Sequence, residues 1–269
     1  MIIALPIPSQ PEIIKKCLSA GKHVLSEKPM APSISVGRDL LQSSHSLSEK
    51  PVWMVAEHLR FDQTFTKGAE LIKEKVGKVY AFSLELYAPV KEDDKFYNTS
   101  WRGIPAYQGG FLLDGGVHFV AGLRKLLDEE IDMVCGFSRQ IQVHTPPVDT
   151  LHAVVKLVDG TSGTIGLSWG CKSFLYEIRV IGEGGCVRLT MGKVSFEDLL
   201  GGKEEFEFKE TGGGMDAVRR EVEAFAKSIE FGKGDVLGAP EEGLRDVAFI
   251  EMVLKSSERG GEPMKFDFY

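Results

Sequence analysis

The sequence predicts an α/β chain in two unlike parts, a parallel-sheet unit over residues 1–58 and an α+β unit with a mostly antiparallel sheet over 59–269. Two observations lead there. Up to residue 58, short apolar strand runs alternate with helical periodicities, and the handedness of such crossovers makes the neighbouring strands parallel. Beyond residue 130, strand-length runs follow one another across Gly-rich turns, and consecutive hairpins build antiparallel sheet.

Met1 to Leu5 is an apolar run meeting Pro6-Ile7-Pro8, as a buried parallel strand meets a loop. Ser9 has Glu12 three residues on, the capping-box spacing, ahead of Ile13, Ile14, Cys17 and Leu18. Gly21 suits the residue just past that helix, where a left-handed backbone is wanted. A strand over 23–26, a helix over 33–46 and a strand over 52–56 complete the first unit. Phe61, Phe65, Ala69, Ile72 and Val76 then repeat at helical spacing, and Gly77 ends the run. A strand over 79–87 and a glycine-rich turn into a helix over 110–127 come next. Strands are expected over 133–143, 151–158, 164–169, 175–181 and 187–191, with turns at Asp159-Gly160 and Gly182-Glu183-Gly184-Gly185. Leu151, Ala153, Val155 and Leu157 alternate with polar neighbours and mark one buried face. Two helices, around 215–229 and 244–254, precede an edge strand over 265–269. Lys91-Glu92-Asp93-Asp94-Lys95 reads as a solvated loop.

The bulk numbers narrow the function. In 269 residues, 43% are hydrophobic and 26% charged, which suits a sizeable core. The net charge of −7 argues against nucleic acid or an anionic membrane as the main partner, since each requires a basic footprint. Cys17, Cys135, Cys171 and Cys186 are scattered, without a C-x-x-C pair, which fits buried thiols in a reducing compartment. No apolar run reaches membrane-spanning length, and the start lacks the basic flank of a signal peptide. The expectation is a soluble, cytoplasmic protein.

Two constellations carry candidate chemistry. Glu27-Lys28-Pro29 places a lysine at the carboxyl end of a strand, where open α/β sheets keep their ligands. A half-buried ammonium there holds a hydroxyl or carbonyl oxygen by charge-assisted hydrogen bonding; the plainer reading is a surface Lys–Glu pair. In Gly109-Gly110-Phe111-Leu112-Leu113-Asp114-Gly115-Gly116-Val117-His118, Asp114 and His118 lie four apart and share a helix face. An imidazole beside a carboxylate suits taking a proton from an alcohol near neutral pH. The plainer reading is a capping aspartate and a half-buried histidine. No metal is expected, because only two ligands are visible without a partner cluster. Trp101-Arg102 offers a guanidinium to a phosphate or carboxylate, or simply a cation on an aromatic surface. Glu57-His58 reads as a strand end, Phe61 as core and Gly212-Gly213-Gly214 as a loop. Serine hydrolase, zincin and P-loop motifs are absent.

Together these segments resemble the Gfo/Idh/MocA family, the glucose–fructose oxidoreductase and inositol dehydrogenase group. The matches run in family order over the whole chain: Ala20-Gly21-Lys22-His23-Val24 into Glu27-Lys28-Pro29, Arg60-Phe61, Trp101-Arg102, Gly109-Gly110, Asp114 and His118, Gly182-Glu183 and Gly185, then Gly243-Leu244-Arg245. The resemblance implies a Rossmann domain for NAD or NADP over 1–58 and a substrate-binding, oligomerising α+β domain with a large open sheet over 59–269. It implies a sugar, polyol or related cyclic alcohol as substrate. Lys28, Asp114 and His118 would be catalytic, with His118 as general base. Pro6, Ser9, Glu27, Lys28, Pro29, Trp101 and Arg102 would line the cofactor, and the open sheet face would pair copies of the chain. The departure is at the start. The family's first strand, G-x-G-x-x-G turn and ribose selector do not precede Met1, so the expected Rossmann sheet is N-terminally truncated and cofactor binding by this chain is expected to be weak. A non-catalytic sugar- or nucleotide-sensing or interaction module is the alternative.

Overall fold

The computed structural model describes residues 1–94, 97–209 and 214–266. Strands β1 (Ile2–Ile3), β2 (Val24–Glu27) and β3 (Trp53–Ala56) form a parallel sheet in the order β1-β2-β3, with Ile3 beside Ser26 and Leu25 beside Met54. Helices α1 (Gln10–Ser19) and α2 (Ile34–His45) are the crossovers; they bury Ile14, Leu18, Ile34 and Leu40. Gly21 takes φ +69° just beyond α1, as expected of its position. The capping box at Ser9 does not form. The chain enters α1 through a 3₁₀ turn, Ile7–Ser9, which leaves Ser9 in helical backbone without a side-chain cap. An N-cap side chain reaches the following amides from extended backbone, and Ser33 does so for α2 by accepting from the Val36 amide at 3.4 Å.

The expected helix over 61–76 is broken into three pieces. His58–Phe61 is a 3₁₀ turn, Asp62 caps α3 (Gln63–Leu71), and a π turn, Ile72–Val76, carries the chain to Gly77. The short α4 (Ser100–Gly103) and long α5 (Phe111–Leu127) follow the strand β4 (Val79–Tyr87).

The second sheet has nine strands, in the order β11-β10-β9-β8-β4-β7-β6-β5-β12. They are β5 (Ile131–Arg139), β6 (Thr150–Leu157), β7 (Ser162–Ser168), β8 (Leu175–Gly182), β9 (Gly185–Thr190), β10 (Lys193–Asp198), β11 (Lys203–Glu207) and β12 (Met264–Lys265), with β4 already given. Every pair is antiparallel except β4 with β7. The strand expected over 133–143 stops at Arg139, because the buried Asp149 carboxylate accepts from the Ile141 and Gln142 amides and turns the chain. Strands β10 and β11 were not expected; they are rich in Lys and Glu, and Val194 and Phe196 of β10 reach the core.

Helices α5 and α7 (Pro240–Glu258) supply the core over one face of this sheet, and α6 (Met215–Phe231) packs beside the His58–Phe61 turn. One core joins Leu84, Leu151, Val155 and Leu167 of the sheet to Val117, Val120, Phe249 and Val253, and runs on to Val24 and Val55 of the parallel sheet. Helix α7 is the bridge: its Gly243 lies against Val55, so closely that a Cβ would stand 3.3 Å from that side chain. On the opposite face, Phe137, Val154 and Ile181 are exposed. Expectations at Lys95, at Gly212 and Gly213, and for 267–269 lie outside the described residues.

Candidate active site

The parallel strands end where α5 begins. Lys28 follows β2 directly, and the Lys28–Pro29 peptide is cis. On the other side, Gly109 and Gly110 have φ +72° and +50°, and a Cβ on Gly110 would stand 2.4 Å from the Pro146 carbonyl oxygen. That close approach lets the chain turn into α5 with Asp114 in its first turn. Gly115 lies against the Trp169 ring, where a Cβ would come within 2.4 Å.

Asp114 is the centre of a cationic clamp. Lys28 Nζ donates to its carbonyl oxygen at 2.6 Å and to Oδ1 at 3.1 Å, and Arg102 Nε donates to Oδ2 at 2.6 Å. Lys28 pairs with Asp114 and not with exposed Glu27, and the α5 cap is Gly110 and not Asp114, although His118 is half-buried as the plainer reading has it. Burial pushes the Asp114 carboxyl up, but Lys28 and Arg102 outweigh it and hold it below the usual carboxylate range. The Arg102 guanidinium also lies 3.9 Å from the centre of the Trp101 ring. Arg102 is therefore aimed at the Asp114 carboxylate.

His118 lies one turn along α5 and is half-buried. Its Nδ1 is 2.7 Å from Glu57 Oε1, and the His58 ring meets it edge-on with centroids 4.8 Å apart. Glu57 directly follows β3 and is 1% exposed. Burial raises its carboxyl, yet His118, Arg60 and His58 together bring it down to about 2. Burial, then the charge of His118, lowers His58 to about 4, and Lys28 acts on it in the same direction. Lys28 with Asp114, and Glu57 and His58 with His118, thus meet α5 one helical turn apart, and both reach it from the ends of parallel strands.

The other expected site residues lie at the same sheet end. Pro6 and Ser9 follow β1, next to the strand carrying Glu27, and buried Gln10 donates from Nε2 to the Pro29 carbonyl oxygen at 3.4 Å. Behind them, Asp246 of α7 is ion-paired to both Arg60 and Arg124, all three buried. Glu57 is the residue that sequence reading missed. Its partner lies 61 positions away, and no local spacing links the two. Among the described residues Glu57, His58 and His118 also form the one trio whose ligand atoms fall within 4.8 Å of one another. The Glu57–His118 contact is a hydrogen bond that accounts for the trio without an ion, and the nearby Lys28 charge opposes a cation.

Comparison with known proteins places this geometry. Residues 69–266 match the model of an oxidoreductase family's C-terminal alpha/beta domain, and residues 1–56 match its NAD-binding Rossmann fold. The chain belongs to the Gfo/Idh/MocA oxidoreductase family. It is 36% identical to the dehydrogenase FPY6 of Fusarium mangiferae over 262 residues, covering 94% of this chain and 73% of that protein. Its structure is similar to that of an oxidoreductase from Thermotoga maritima, with TM-score 0.88 and 26% identity over 98% of this chain and 77% of the other. The fold is also shared with levoglucosan dehydrogenase solved with NADH and levoglucosan, at TM-score 0.86 and 17% identity over 100% of this chain and 80% of that one. Both matched domains, and the small parallel sheet followed by a large mostly antiparallel one, are those of the family. Among the described residues no helix is long and apolar enough to cross a membrane.

Proposed function

We propose that this site oxidises the CH–OH group of a sugar, polyol or related cyclic alcohol with NAD or NADP, and reduces the carbonyl in reverse. The observation that carries the reading is the Lys28–Asp114 contact between the two sheets, with His118 one helical turn away. The cofactor is that of the family's Rossmann domain, over residues 1–58, and residues 59–269 take the substrate. The local donor set fits the nicotinamide end of a dinucleotide. Lys28 follows a parallel strand, its side chain is only 15% exposed, and Asp114 engages two of its three ammonium protons. Pro6, Ser9, Glu27, Pro29 and Trp101 line the same cofactor-facing end, with Arg102 beside them.

Held by the residues around Lys28, a bound nicotinamide would supply the hydride acceptor for the carbinol carbon. Lys28 directs its remaining proton to the substrate oxygen and stabilises charge developing there. Asp114, fixed from both sides by Lys28 and Arg102, orients the alcohol. His118 takes the hydroxyl proton. As the C–H pair leaves as hydride and the O–H proton passes to imidazole, the C–O bond becomes a carbonyl.

Titrating NADH and NADPH fluorescence against the purified chain tests the cofactor assignment: a saturable change with either supports it, and no saturable change with either would contradict it. The four unpaired cysteines support a cytoplasmic setting. The exposed sheet face carrying Phe137, Val154 and Ile181 supports self-association.

A further inference from the structure

We propose that Glu57 is a positioning residue for His118: its carboxylate fixes the ring as the Nδ1–H tautomer and leaves Nε2 as the base. The inference rests on the reading of His118 as general base, and it names a residue in the loop after β3 as part of that machinery.

Four observations carry it. First, the contact is short and specific, Nδ1 to Oε1 at 2.7 Å. A carboxylate with no proton of its own accepts, so the ring nitrogen facing it carries the hydrogen. Second, Glu57 is held ionised. Arg60, His58 and His118 surround it, and it stays an acceptor throughout the neutral range. Third, Glu57 cannot swing away. Its side chain is fully enclosed, and Oε1 also accepts from the Leu59 amide at 3.2 Å, which ties the carboxylate to the 3₁₀ turn behind it. Fourth, the ring has a second restraint, the edge contact with His58, whose imidazole is held neutral by burial and by the neighbouring cations. Glu221 of α6 acts on Glu57 by charge, and α6 packs against the 3₁₀ turn that follows Glu57. A buried carboxylate behind an imidazole selects the tautomer and stabilises the imidazolium that forms when the ring takes a proton.

The pair also joins the two parts of the fold. Glu57 extends a strand of the parallel sheet, and His118 belongs to the helix that covers the large sheet. The base is therefore oriented only when both are packed together.

Long-range ¹H–¹⁵N correlation spectra of the ¹⁵N-histidine-labelled full chain test the proposal without substrate or cofactor. The chain has six histidines, and His118→Asn identifies the resonances of this one. In the wild type, the neutral His118 ring should show a protonated Nδ1 and a bare Nε2. In Glu57→Gln, which keeps the shape and removes the charge, the share of the Nδ1–H form should fall and an Nε2–H form should appear. An Nε2–H tautomer in the wild type would overturn the proposal, as would an unchanged tautomer ratio in Glu57→Gln. Should that variant fail to fold, the wild-type tautomer decides alone. Because neither reading involves turnover, a chain that shows the tautomer but transfers no hydride would sink the proposed function and leave the pairing standing.

Discussion

Lys28 and His118 divide the proposed chemistry between an oxygen-holding cation and a proton acceptor, and Asp114 ties the first to the helix that carries the second. Replacing Lys28 by Met keeps the length and removes the charge. Turnover measured by nicotinamide absorbance should fall by about two orders of magnitude or more, because positioned electrostatic and acid–base groups contribute on that scale. His118→Asn should fall similarly, and unchanged turnover in either variant would contradict its assigned role. These positions were legible because their signals are local: a strand end before Lys28-Pro29, and an i,i+4 pair behind two glycines. Glu57 was not, since the imidazole it serves belongs to a helix far along the chain. Arg102 was legible as a candidate anion partner, but only the fold shows that the anion beside it is Asp114.

At the scale of elements, α6 and α7 hold the site from behind, and each carries a buried acid with a testable consequence. Burial, then the charges of Glu57 and Glu27, raises Glu221 on α6 to about 8 from an ordinary 4.5. Between those values the folded chain keeps a proton that the unfolded chain has lost, so this group's contribution to stability falls as pH rises from about 4.5 to 8. Glu221→Gln should therefore raise the urea midpoint relative to wild type at pH 8 and leave little difference near pH 4.5; an equal difference at both pH values would contradict the assignment. Asp246 on α7 answers two buried guanidiniums, Arg60 and Arg124. Asp246→Ala should cost about 3–5 kcal/mol in chemical denaturation, because buried Arg60 loses its ion-pair partner while Arg124 keeps Glu130 and Glu242, and a loss within about 0.5 kcal/mol would show that Arg60 finds another partner. Sequence periodicity recovered most elements but not β10 and β11, where charged residues dominate and only alternate positions reach the core. Nor could it find the parallel β4–β7 pair, because hairpin logic pairs only neighbours in sequence.

The whole molecule is organised by one core that runs from the parallel sheet through α7 to the large sheet, so the two halves of the site meet on a shared support. The far face of the large sheet remains uncovered, with Phe137, Val154 and Ile181 on its surface at 64%, 53% and 46% exposure. If copies of the chain pair there, Val154→Glu should shift the species seen by light scattering toward monomer, while folding measured by circular dichroism stays intact. A wild-type chain that is monomeric at high concentration would refute that surface as a self-association face.

The central claim is that the Lys28–Asp114–His118 group performs hydride transfer. Its most direct test is absorbance at the reduced-nicotinamide band, with the chain held in a large excess of NAD or NADP and supplied with a panel of sugars, polyols and cyclic alcohols. The account predicts cofactor reduction with at least one of them, abolished in Lys28→Met. No reduction with any alcohol at saturating cofactor, or reduction that Lys28→Met leaves unchanged, would contradict it.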